Sequence, residues 1–242
     1  MKAMLLAAGL GTRLRPITDN IPKALVPVNG KTLLERNIKY LQKFGIFDVV
    51  VNVHHFHELM ISCIQTNNGF GSRITISDES DAVLETGGGL VKAAPFFNGE
   101  ADILVMNVDV ITNLNLHTLI SYHMDKKGLA TLAVMKRESG RVLLFNPKMQ
   151  LCGWRNQQTN EEKISRNDAG LEPYAFSGIQ VISHHAIAGN PFSGKFSLID
   201  LYLELAKKNE LYGFDHTGDT FLDVGKPEAI RKAEAWLTTN NE

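Results

Sequence analysis

The chain has 242 residues, 44% of them apolar and 21% charged, with a formal net charge of −1; this predicts an ordinary soluble globular protein, long enough for one sizeable domain or two small ones. With 25 basic against 26 acidic residues there is no global field to draw in nucleic acid or an anionic membrane, so neither is an expected partner. Two cysteines, Cys63 and Cys152, lie far apart and outside any C-x-x-C spacing, which argues against a disulfide framework or a zinc site.

The first predicted element is the apolar run over residues 3–8. It is shorter than the roughly 7–15 residues of a signal-peptide core and leads into a charged loop, so it reads as a buried first strand. No segment approaches the ~20 apolar residues of a membrane span, and a reducing, cytoplasmic setting is expected.

The loop that follows, "GLGTRLRPITDNIPK", carries Gly9, Gly11, Arg13, Arg15 and Lys23 between prolines. Glycine turns sharply at little cost, and missing side chains let backbone N–H groups approach an anion. Arg13 offers planar paired donors suited to phosphate oxygens, and Lys23 a mobile point charge. Such a loop repels itself until something negative arrives, and a nucleoside triphosphate fits. It is neither the dinucleotide fingerprint nor a Walker loop, since the third glycine and the G-K-[ST] are missing.

Next, "KTLLERNIKYLQKFG" predicts a helix through Leu34, Ile38 and Leu41 that stops at Gly45, and "FDVVVNV" a strand buried on both faces. "HHFHELMISCIQTNN" predicts a helix with Phe56, Met60, Ile61 and Ile64 on one side. Its His54, His55 and His57 are not expected to hold a metal, because adjacent histidines point to different helix faces. "SRITISD" reads as a strand, "GGGLVKAAPFF" as a loop becoming a helix, and "ADILVMNVDV" as a strand ending in polar residues. This alternation predicts an α/β fold: a Rossmann-like, doubly wound, mostly parallel sheet whose ligands bind beyond the carboxyl ends of its strands. The Gly/Arg loop and Asn107–Asp109 fall together there.

The second half is less regular and predicts a smaller lobe. "LATLAVMKR" reads as a strand, "RVLLFNPKMQLCGW" as a hairpin turning at "NPKM", and residues 155–170 as a mobile polar surface segment. "PYAFSGIQVIS" predicts a strand interrupted at Ser-Gly, and "FSLIDLYLELAKKNE" an amphipathic helix. "TFLDVGKPEAIRKAEAWL" predicts a short strand and a last helix opened by Pro227. A single domain over 1–242 is expected, with a nucleotide-binding part of about 1–115 and a sugar-binding part of about 116–242.

At this point the string "LLAAGLGTRLRPITDNIPKALVPV" resembles the signature loop of the sugar-1-phosphate nucleotidylyltransferases, L-A-A-G-x-G-T-R-L-x-P-x-T-x-x-x-P-K. The similarity continues through "ETGGGL", "NVDV", "FSGIQV" and "FLDVG" in family order, over nearly the whole chain. Within the family, the short length and the "ETGGG" and "FSGI" segments look most like the bacterial N-acetylmuramate-1-phosphate uridylyltransferases.

The resemblance implies a GT-A-like nucleotidyltransferase fold and a reaction. In it a sugar-1-phosphate oxygen attacks the α-phosphorus of an NTP, UTP on this likeness, and pyrophosphate leaves. It implies Mg²⁺ held by Asp109 and Asp223, with Arg13 and Lys23 neutralising phosphates around Asp109 as the catalytic set. Ala7, Ala8, Gly9, Gly11 and Thr12 would meet the nucleotide together with Glu85, Thr86, Gly87 and Gly88 of "ETGGG". Asn107, Glu172, Ser177 and Gly178 would line the sugar pocket. "NVD" departs from the family's "NGD" at Val108, and the "V-E-K-P" segment that carries a lysine to the sugar phosphate in larger relatives is missing, a place Lys195 could take. The alternatives are a GTP-dependent mannose- or heptose-1-phosphate enzyme and a non-catalytic sugar-nucleotide-binding homologue. A monomer and a homo-oligomer are both open.

Overall fold

The computed structural model describes residues 1–240. Its centre is a ten-stranded sheet. The first strand, β1 (Lys2–Leu6), lies between β4 (Asp48–Val53) and β6 (Asp102–Asn107), parallel to both, and β5 (Arg73–Asp78) continues parallel beyond β4. The short β2 (Pro27–Val28) and β3 (Lys31–Thr32) form their own hairpin.

Beyond β6 the sheet reverses. The long β12 (Glu172–Ser183) pairs antiparallel with β6 and with β8 (Ala130–Met135), so β8 points the same way as β6. β13 (Leu211–Asp215) adds parallel to β8. The carboxyl ends of β1, β4, β5, β6, β8 and β13 therefore share one edge. The sheet is mixed, with the parallel strands β5, β4, β1 and β6 adjacent on one side. The register of β12 breaks between Phe176 and Gln180, and Gly178 there adopts φ +69°, so the predicted Ser-Gly interruption is a bulge at that same edge.

Helices cover both faces. Ala3, Leu5, Val49, Val51 and Leu104 face a core shared with α1 (Leu33–Lys43), α2 (His57–Thr66) and α4 (Leu116–Lys126). Met4, Val50 and Val105 face the other core, with α3 (Glu85–Ala93), the short α5 (His184–Ala188) and α6 (Leu198–Ala206). Helix starts are capped as the side chains dictate: Thr32 accepts from the Glu35 amide, Asn115 from those of His117 and Thr118, and Ser197 from that of Ile199. Phe56 is not part of the α2 face; it precedes the helix at φ +57°.

Two expectations are corrected. The glycines of "ETGGG" lie inside α3 rather than in a loop, and each of Gly87, Gly88 and Gly89 packs where a Cβ would collide with a neighbouring segment; Glu85 ahead of them stands at φ +58°. Residues 155–170 are not simply a mobile loop. β9 (Arg141–Phe145), β10 (Leu151–Asn156) and β11 (Glu162–Ile164) form an antiparallel extension of the sheet, held by an Arg155–Glu162 ion pair and by Lys163 over the Trp154 ring. The apolar run of β12 does not by itself fix a direction, and the sheet order shows it antiparallel.

A third, smaller core positions the site. Leu14, Val26 and Val28 from the first loop pack with Ile111 of β7 (Val110–Thr112), with Val224, and with Ala233 and Leu237 of α7 (Pro227–Thr239). Leu14 and Val224 are fully buried, each contributing about 1.5–3 kcal/mol. Burying them brings their charged neighbours Arg13 and Asp223 to within 3.9 Å of each other.

Candidate active site

At the shared carboxyl edge lies a cavity of about 500 Å³, in the size range of small-ligand sites. Ala7, Ala8, Gly9, Gly11, Thr12 and Lys23 line it from the first loop, and Glu85, Thr86, Asn107, Asp109 and Lys195 from the rest of the chain. Gly11 turns the loop at φ +64°, and the Thr18 hydroxyl donates to its carbonyl at 2.8 Å. Among the described residues, the amides of Gly9, Leu10 and Gly11 have no protein acceptor. Consecutive free N–H groups of this kind form an anion cradle.

β7 pairs antiparallel with β14 (Phe221–Asp223), setting Asp223 opposite Val110, while the Val224 amide donates to the Asp109 carbonyl at 2.8 Å. That pairing brings together two carboxylates 114 residues apart in sequence, Asp109 and Asp223. Lys23 donates to Asp109 in a largely buried ion pair, with side chains 13% and 15% exposed. Arg13 approaches Asp223 at 3.9 Å, and a Cβ on Gly225 would fall 2.7 Å from both groups, so glycine makes room for the pair. Partial burial, then the neighbouring Asp109 charge, push the Asp223 carboxyl above the usual carboxylate range; Lys23 and Arg13 oppose this. Two mutually repelling carboxylates with hard oxygen donors fit Mg²⁺, which takes one or two protein carboxylates and completes its shell with phosphate and water. Among the described residues no group of three or more His, Cys, Asp or Glu surrounds a common point.

Several expected contacts lie elsewhere. Gly87 and Gly88 are buried against segment 194–196, with the Gly87 amide donating to the Phe196 carbonyl at 2.9 Å. The Ser177 side chain is 1% exposed and its hydroxyl bonds His216 Nε2 at 2.8 Å. Glu172 is exposed and pairs with Lys136 at 2.7 Å. Gly178 stands against Asn107, where a Cβ would come within 2.6 Å of its amide nitrogen. Lys195 reaches Glu85 at 3.5 Å across the cavity wall, and Arg15 pairs with Asp19 at 3.3 Å in solvent.

Two side chains of the site were missed in the sequence. Asn52, 2% exposed, accepts from the Ala7 and Ala8 amides at 2.6 and 3.3 Å and donates to Glu79 Oε1 at 2.7 Å. Both Asn52 and Glu79 line the cavity. Asn52 carried a signal, one polar residue in an otherwise apolar strand terminus, whereas Glu79 sat unmarked in "SDESD". Glu79 is 1% exposed, and burial raises its pKa. A folded-state pKa above the unfolded one means that the unfolded chain deprotonates first, so this group's contribution to stability falls as pH rises through that window. Glu79→Gln is therefore expected to raise Tm relative to the parent at pH 7 and not below about pH 4. An equal Tm difference at both pH values would contradict a buried carboxyl as the cause.

Residues 2–141, more than half of the chain, match the family model described as Nucleotidyl transferase. The N-acetylmuramate alpha-1-phosphate uridylyltransferase of Caulobacter vibrioides is 34% identical, covering 97% of this chain and 96% of its own. The protein of that name from Neisseria meningitidis serogroup B is 37% identical, covering 97% of each. The crystal structure of HddC from Yersinia pseudotuberculosis complexed with GMP-PN has the same fold, with a TM-score of 0.78 at 23% identity over 98% of this chain and 99% of that one. On this correspondence the chain belongs to the nucleotidyl transferase family, as an enzyme of its sugar-1-phosphate branch.

Proposed function

We propose that the chain is a Mg²⁺-dependent uridylyltransferase that joins UTP to N-acetylmuramate 1-phosphate or a close analogue. A sugar-phosphate oxygen forms the new bond to the α-phosphorus, and the bond from that phosphorus to the bridging oxygen breaks, releasing pyrophosphate. The nucleophile is already an anion, so no general base is needed; the barrier is the meeting of two polyanions. The observation that carries this reading is the Lys23–Asp109 pair lining a cavity rimmed by free loop amides, with Asp223 and its partner Arg13 set beside Asp109 by the β7–β14 pairing.

In this reading the Gly9–Gly11 amides and Arg13 hold the triphosphate, Lys23 neutralises the α- or sugar phosphate, and Asp109 and Asp223 would hold the metal. The divalent ion would supply charge neutralisation at the reacting phosphates. Ala7, Ala8, Thr12, Glu85 and Thr86 shape the nucleoside side. Asn107, Gly178 and Lys195 meet the sugar; Glu172 and Ser177 act at most through Lys136 and His216, their present partners. Nucleotide recognition falls in about residues 1–115 and sugar recognition in about 116–242, with Lys195 completing the cavity from the second part. The uridylyl choice is supported by the two near-full-length muramate relatives.

Pyrophosphate release with UTP and GTP against N-acetylmuramate, N-acetylglucosamine, mannose and heptose 1-phosphates tests the proposal. The highest kcat/KM is expected for UTP with N-acetylmuramate 1-phosphate, abolished by chelation. Preference for GTP with mannose or heptose 1-phosphate would overturn it.

A further inference from the structure

Arg137 follows β8 and so emerges at the edge that carries the site. Its guanidinium carbon lies 4.5 Å from the centre of the Phe221 ring. Phe221 and Asp223 are two apart on β14 and share one side of that strand. One Nη of Arg137 donates to the Phe176 carbonyl at 3.0 Å, immediately before the Ser177–Gly178 bulge that faces Asn107. The other donates to the Glu138 backbone carbonyl at 3.3 Å. A guanidinium has five N–H donors, so three are unspent. Among the described residues no carboxylate lies within 4.0 Å of it, whereas its neighbour Lys136 is paired with Glu172. Partial loss of hydration pushes the Arg137 pKa down and the Asp223 carboxylate pulls it back up, so the guanidinium is within electrostatic reach of Asp223.

Arg137 therefore touches both the strand that carries Asp223, through Phe221, and the strand whose next residues form the Ser177–Gly178 bulge, through the Phe176 carbonyl. Arg13 and Lys23 flank the carboxylates from the first loop; Arg137 comes from the opposite, second-half side. We propose that Arg137 binds the phosphate of the sugar 1-phosphate, as the fixed cation that receives the second polyanion. Stacking on Phe221 and the bond to Phe176 hold its plane in place, and the remaining N–H groups form a fork matched to phosphate oxygens. Lys195 is less suited, being engaged with Glu85. The proposal needs only a sugar 1-phosphate as substrate, not a particular sugar or base.

The test is steady-state kinetics of Arg137→Ala and Arg137→Lys with N-acetylmuramate 1-phosphate and N-acetylglucosamine 1-phosphate, which share the phosphate but not the lactyl carboxylate. Arg137→Ala is expected to raise KM for both sugars by the same factor, at least tenfold. KM for the NTP and the Mg²⁺ concentration for half-activation should stay within twofold. Arg137→Lys, which keeps the charge and loses the fork, should fall between. A rise confined to the muramyl substrate would assign the residue to the carboxylate and overturn the proposal. So would an unchanged sugar KM, or a shifted Mg²⁺ requirement, which would mean that Arg137 only positions Asp223. A different preferred sugar or base in the wild type would refute the uridylyl reading alone, and the same comparison would then be made with the substrates it does use.

Discussion

Lys23→Ala is expected to lower kcat/KM by about 10²–10³-fold, the loss typical of a donor that stabilises developing charge in an enclosed site, and to destabilise the fold as well. Lys23 is bonded to Asp109 with both side chains mostly out of water. Removing one member of such a pair leaves the other carboxylate poorly solvated, beside a second carboxylate that it already repels. A fully buried pair broken this way costs about 3–5 kcal/mol; here the residual exposure reduces the figure to roughly 1–3, or some 2–10 °C in Tm for a chain of this size. The cause can be separated from general damage by adding Mg²⁺. A divalent ion at the two carboxylates binds only the folded state and replaces the missing charge, so it should raise the Tm of Lys23→Ala by more than that of the parent. If Mg²⁺ leaves the variant's deficit untouched, Lys23 is not the counter-charge of a metal-binding pair. Lys23→Arg should keep most of the stability and only part of the activity, since its wider fork cannot sit on Asp109 in the same way.

The loop that carries Lys23 was legible because its charges are interleaved with buried apolar residues. Leu14 after Arg13, and Val224 after Asp223, anchor the chain so that Arg13 and Asp223 meet. The carboxyl-edge rule placed the Gly/Arg loop and Asn107–Asp109 together for the same physical reason: parallel strands end on one side. Strand direction was not legible at β12. The run "PYAFSGIQVIS" is apolar on both faces whether its neighbours run parallel or antiparallel, so only the sheet order reveals the reversal.

Tertiary contact also overrode local propensity in α3. Three successive glycines disfavour a helix by about 1 kcal/mol each, yet a Cβ on Gly88 would meet the Gly194 carbonyl at 2.1 Å and one on Gly89 the Glu79 carboxyl at 2.6 Å. The glycines are there to let the helix approach the 194–196 segment and the Asn52–Glu79 pair, which long-range packing alone defines. The polar segment 155–170 hid its strands because their stabilising pairs, Arg155–Glu162 and Lys163–Trp154, are charged and exposed. Ser177 stood in a recognisable motif, but its partner His216 is 39 residues away and gave no local sign of claiming the hydroxyl.

Asp109→Asn is expected to reduce kcat by about 10²–10³-fold with much less loss of stability than Lys23→Ala. Asparagine keeps the volume and an acceptor for Lys23, and a freed lysine with residual exposure can reach water. The substitution removes one of only two protein carboxylates in the donor set and leaves a cation where Mg²⁺ would sit. Mg²⁺ affinity should therefore fall further than the loss of one ligand alone would require. Two measurements that do not depend on turnover follow. Calorimetric titration of the NTP should show tighter binding with Mg²⁺ than without it in the parent, and no such gain in Asp109→Asn. Mg²⁺ alone should raise the parent's Tm and not the variant's. Asp223→Asn should show the same pattern in weaker form, because Asp223 is more exposed and its ion partner Arg13 stands 3.9 Å away. An Asp109→Asn protein that turns over at the parent's rate, or one that retains the full Mg²⁺-dependent gain in NTP binding, would remove Asp109 from the metal site and leave the β7–β14 pairing without its proposed catalytic purpose.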